Sequence, residues 1–149
     1  MTERRSIYVP DHLWDFLDLP ADGDGLSSRV AAIVDRYRQI VWAPGACERW
    51  TRPEWLLVLD ACNGWASWAE AGETLMTSIW AEVADHVRLN DAAAKWGLSA
   101  EQAEALAADL RSLTAAGTMA VLERVERFWR RADLPTAEAM AAARIRPTD

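Results

Sequence analysis

Arg4, Ser6 and Tyr8 are the residues of this 149-residue chain whose types and spacing invite chemistry. Along an extended backbone, side chains at i, i+2 and i+4 share one face. A forked guanidinium, a hydroxyl and a phenol would therefore stand in a row, which suits recognition of an acceptor-rich polar surface. Elsewhere the chemical yield is thin. No Ser-His-Asp arrangement, phosphate-binding glycine loop, dinucleotide fingerprint or paired metal-ligand motif occurs. His12 and His86 are the only histidines, each far from a second ligand in sequence. Cys47 and Cys62 lack the close spacing of zinc or redox motifs and read as small buried hydrophobes in a reducing compartment. The expectation is a protein that is not an enzyme, with no metal and no cofactor.

The elements that must position this row follow from the surrounding residues. Alternation over residues 4–9 puts Arg5, Ile7 and Val9 on the second, mostly apolar face of a short strand. A lone strand cannot satisfy its own N–H and C=O groups, and no second strand-like segment lies nearby. The economical partner is the same strand of another copy, antiparallel across a two-fold axis. Pro10 ends the strand and Asp11 caps a helix over residues 12–18, with Leu13 and Leu17 inward. Pro20, Gly23 and Gly25 force a stop. Ser27 or Ser28 is expected to cap a second helix running to Tyr37, where Val30, Ile33, Val34 and Tyr37 recur at i, i+3, i+4, i+7 as a core stripe. One strand and two helices of about 8 and 15 residues are too little for a monomeric core, so the segment needs to dimerise.

That order of strand, helix and helix, with the Pro10-Asp11 stop and the Gly25-Leu26-Ser27-Ser28 turn, resembles the ribbon-helix-helix family of small dimeric DNA-binding proteins, the Arc, MetJ and CopG type. The resemblance covers about a quarter of the chain. It implies an intertwined homodimer whose two-stranded ribbon enters the major groove of a double-stranded DNA operator. Arg4, Ser6 and Tyr8 would contact bases, each good contact giving about 1 to 3 kcal/mol of discrimination. Ser27, Ser28, Arg29 and Arg5 would contact phosphates at the start of the second helix. Ile7, Val9, Leu13, Leu17, Val30, Ile33, Val34 and Tyr37 would form the dimer core. The implied role is a transcriptional repressor at a palindromic or pseudo-palindromic site, with extra domains available to pair dimers into higher oligomers or to sense a ligand.

Composition limits how such binding works. The net charge is −7 and the pI about 4.8, which excludes broad nonspecific attraction to nucleic acid. Residues 1–44 carry five Arg against seven acids, a local net of −2. A small, well-placed basic strip must therefore do the work. Hydrophobic residues make up 51% and charged residues 26%, an ordinary globular balance. No apolar run approaches the ~20 residues that cross a bilayer, and no export signal opens the chain. No membrane partner and a cytoplasmic location are expected.

The expected division is a ribbon-helix-helix module over 1–43 and an all-α, Trp-rich domain of five or six helices over 46–146, giving a mainly all-α chain. Thr51-x-x-Glu54 with Pro53 opens one helix ending near Asn63-Gly64, and Ser99-x-x-Gln102 opens another. Residues 65–89 read as helical, with Trp65, Trp68, Leu75, Ile79, Trp80, Val83 and Val87 as candidates for burial and Gly72 as a break. A short helix over 91–96 closes at Gly97, and Gly117 is expected to separate the last two long helices. An Ala-rich helix should span 136–145, with the tail beyond it fraying. The pair around Gly97 loosely resembles a helix-turn-helix, but its second helix carries Glu101, Glu104 and Asp109, so it reads as an ordinary hairpin. Arg124, Arg127, Arg130 and Arg131, interleaved with Glu123 and Glu126, read as a solvated, ion-paired face. Eight of the nine tryptophans follow residue 40. Trp42, Trp50 and Trp55 are expected to join the body to the dimer. The competing reading is a protein-interaction module, antitoxin-like or blocking a partner by its acidity through the C-terminal domain, which uses its N-terminus only to dimerise.

Overall fold

The computed structural model describes residues 25–42, 49–63 and 73–149. Its helices are α1 (Leu26–Val41), α2 (Arg52–Ala61), α3 (Glu73–Val87), α4 (Asn90–Lys95), α5 (Ala100–Arg111), α6 (Ala115–Trp129) and α7 (Thr136–Ala142). The chain is mainly all-α, with no strand among the described residues and one isolated bridge, Thr51 to Thr148. The expected strand over 4–9 and helix over 12–18 lie outside the described residues. Two units divide the chain, Met1–Gln39 and Ile40–Asp149. Among the described residues no helix is long and apolar enough to cross a membrane.

In the first unit, Gly25 takes φ +89° and its carbonyl accepts the first helical bond, from Arg29 N–H at 2.8 Å. Glycine thus holds the position just before α1, and Ser27 and Ser28 lie inside the first turn instead of capping it. The helix also passes Tyr37 and ends at Val41. Its last full turn in this unit is held by Asp35, which accepts from Arg38 at 2.9 Å and Gln39 at 2.8 Å.

The second unit builds a helical core. Thr51 opens α2 as expected: its N–H donates to Glu54 Oε2 at 2.7 Å, the reciprocal bond to Thr51 Oγ1 is 3.5 Å, and Pro53 sits in the first turn. Trp55, Leu57, Val58 and Leu59 are all buried. A helix apolar around most of its circumference belongs at the centre of a core. Helix α3 packs against both α2 and α5, through Trp80, Val83, Ala84 and Val87 on one side and Ala103, Leu106, Ala107 and Leu110 on α5.

Ser99 and Gln102 cap α5 reciprocally at 2.8 and 3.2 Å, after Gly97 at φ +74° ends the α4 turn. Two of the three acids of α5 are engaged by neighbours: Glu104 pairs with Arg88 at 2.7 Å, and Asp109 pairs with Arg49 at 2.8 Å and accepts from Trp50 Nε1 at 2.9 Å. With one face buried and two acids engaged on the other, α5 is a packing helix within a hairpin.

Three expectations in this unit need correction. Gly117 does not separate helices; it lies in the first turn of α6, donating to its cap Thr114 at 3.1 Å. A Cβ there would come 3.1 Å from Leu113 Cδ2 and 3.4 Å from Thr114 Oγ1, a tight fit that the Leu113 side chain would have to relieve. Helix α7 stops at Ala142 because Arg144 takes φ +56° and the chain reverses, Arg144 N–H bonding Ala141 O at 3.0 Å and Ile145 N–H bonding Met140 O at 2.9 Å. Buried Ile145 seals that turn. The tail beyond it is tied down, Thr148 N–H donating to Trp50 O at 2.9 Å.

Candidate functional site

Of the residues expected to act, Arg4, Arg5, Ser6 and Tyr8, and the core positions Ile7, Val9, Leu13 and Leu17, lie outside the described residues. The rest lie on α1. At its start Ser27 and Ser28 are exposed and Arg29 half-buried, and no acid occupies the first turn. Free N–H groups and the positive end of the helix dipole favour an anion at such a terminus.

Further along, the stripe expected as core is only partly buried. Val34 is 57% exposed, Tyr37 39% and Ile40 41%, while Val30 and Ile33 are half-buried. Of the sixteen residues of α1 only Val41 is buried. An isolated amphipathic helix gains little from propensity alone and takes its stability from covering its apolar face.

Comparison with known protein families, curated proteins and solved structures finds nothing that matches this chain.

The second unit contains an arrangement the sequence reading missed. Arg124, read as part of a solvated face, is only 5% exposed. Its guanidinium donates to Val41 O at 2.9 Å and Ala120 O at 2.8 Å, taking up a carbonyl at the end of α1. The half-buried Trp42 ring lies against three guanidinium carbons, those of Arg124 at 4.6 Å, Arg127 at 4.9 Å and Arg144 at 4.8 Å. Each distance falls within cation–π range. Arg127 is also paired with Glu123 at 2.6 Å, and Arg130 with Glu126, as the charge alternation implied. A usable signal was present: on α6, buried positions 117, 121, 124 and 128 follow one helical stripe, and 124 is an arginine.

Trp50 and Trp55 are buried in the same unit, their rings edge-on at 4.9 Å. Their observed contacts are core contacts, as are those of Trp80. Cys62 is buried too, and burial pushes its thiol up to about 12. Cys47 lies outside the described residues. Among the described residues no group of three His, Cys, Asp or Glu is placed to hold a metal, and His86 is exposed.

Proposed function

We propose that this protein is a sequence-specific DNA-binding homodimer, a cytoplasmic transcriptional repressor that reads the major groove with a ribbon made from residues 4–9 of two copies. The observation that carries the reading is the stripe of α1: Val30, Ile33 and Val34 have the spacing of a core, yet Val34 is exposed and Val30 and Ile33 are only half-buried. A second copy of the same helix supplies the missing cover, as the resemblance to ribbon-helix-helix proteins implies. In the dimer, Arg4 bonds a guanine edge, Ser6 and Tyr8 meet neighbouring bases, and Ser27, Ser28, Arg29 and Arg5 hold phosphates. With so few cations and a net of −2 over residues 1–44, binding is specific, modest in strength and salt-sensitive.

Genome-fragment selection with the purified full chain, followed by gel shift on the selected site, tests this directly. Arg4→Ala with Ser6→Ala is expected to abolish specific binding while light scattering still reports a dimer. Unchanged binding by the double variant rejects groove reading. The acidic balance favours one second reading, a module that dimerises through its N-terminus and binds a protein. Selection of no DNA, with capture of one stoichiometric protein partner, would establish that reading instead.

A further inference from the structure

We propose that the helical unit carries a binding site for an aromatic monocarboxylate, in the cavity between α2, the end of α4, α6 and α7. The cavity measures about 440 Å³, within the range of about 300 to 1,000 Å³ that small-molecule sites occupy. It stands independently of the DNA-binding reading.

The walls select a flat apolar body. Leu56 and Leu59 of α2 line it together with Trp96, Phe128 and Trp129. Trp96 is a fixed wall: its Nε1 donates to Asp60 Oδ2 at 3.4 Å, and Lys95 Nζ, bonded to the same oxygen at 2.8 Å, also lies 5.1 Å from its ring centroid. Trp129 is held differently. Its indole N–H is buried with no acceptor among the described residues, as are those of Trp55 and Trp80, which do not line the cavity, whereas those of Trp50 and Trp96 are each bonded to an acid. The Trp129 ring can therefore turn toward a ligand without breaking a hydrogen bond, and an acceptor on the ligand would satisfy a group that is costly to leave unpaired.

The charges select one carboxylate. Asp60 and Lys95 neutralise each other. Arg52, the first residue of α2 and a lining residue, makes no ion pair among the described residues. One positive charge is left on the cavity, and a guanidinium pairs with a carboxylate in bidentate fashion. A chain of net charge −7 disfavours a more highly charged anion.

Isothermal titration of the full chain with phenylacetate, indole-3-acetate and 2-naphthoate, each beside its neutral carboxamide, tests the site. At least one acid is expected to bind saturably, one per chain, and more tightly than its amide. In Arg52→Gln that preference is lost, with affinity for the acid falling roughly tenfold. Arg146→Gln, which removes an exposed cation that does not line the cavity, leaves the affinity unchanged. Four outcomes overturn the proposal: no saturable binding of any acid up to millimolar concentration, equal binding of acid and amide, full affinity in Arg52→Gln, or an equal loss in Arg146→Gln.

Discussion

Burial governs the chemistry of single residues here, and Cys62 is the clearest case. A thiol reacts as its thiolate, and burial pushes Cys62 from an ordinary 9.0 up to about 12. In a Cys47→Ser background, native protein at pH 8 is expected to resist iodoacetamide and to react on adding guanidinium chloride. Fast alkylation of the native state would show the site to be open. The unfolded thiol ionises first, so the stability linked to Cys62 is present below about 9 and lost as pH climbs toward 12. Denaturant midpoints over that window should fall less in Cys62→Ala than in the parent. The burial of Cys62 was legible from residue type alone. The burial of Arg124 was hidden, because Glu123, Glu126 and Arg127 around it form a pattern typical of solvated helix faces. What decides its place is the stripe it shares with Val121 and Phe128, together with two backbone carbonyls it can reach.

Elements were most readable where their signals were local. Both reciprocal caps, Thr51 with Glu54 and Ser99 with Gln102, formed where the sequence placed them, because a cap satisfies N–H groups only three residues away. Ser99→Ala is expected to lower stability by about 1 kcal/mol, and Ser99→Gly by only a few tenths, read from urea midpoints with an unchanged slope. Equal losses in the two variants would mean that the Ser99 hydroxyl is not acting as a cap. Glycine and the chain end were misread for one shared reason, that their determinants are nonlocal or sterically specific. Gly117 answers to the Leu113 side chain beside it, and the tail answers to a carbonyl on Trp50 at the other end of the unit. Periodicity carries no trace of either contact.

At the scale of the whole molecule, the six described helices after residue 46 share a core of their own, while on α1 Val34 and Ile40 are exposed. The sequence showed this stripe as a core face, but a single chain cannot show what covers it. If two copies cover it for each other, the contact is isologous and every change at Val34 acts twice. Val34→Asp places a carboxylate where the paired helices meet, and burying an unpaired charge costs several kcal/mol. Sedimentation equilibrium is expected to show a dimer for the parent at micromolar concentration and a monomer for Val34→Asp, with the near-ultraviolet tryptophan signal of the helical unit retained. Ala32→Asp is the matched control: the same charge on the same helix, but on the opposite side at 3.6 residues per turn, and it should leave the dimer intact. A dimer that survives Val34→Asp, or that fails equally with Ala32→Asp, would mean that the stripe is not the interface. The proposed ribbon would then lose its partner strand, since it is the association of the stripes that brings residues 4–9 of two copies side by side.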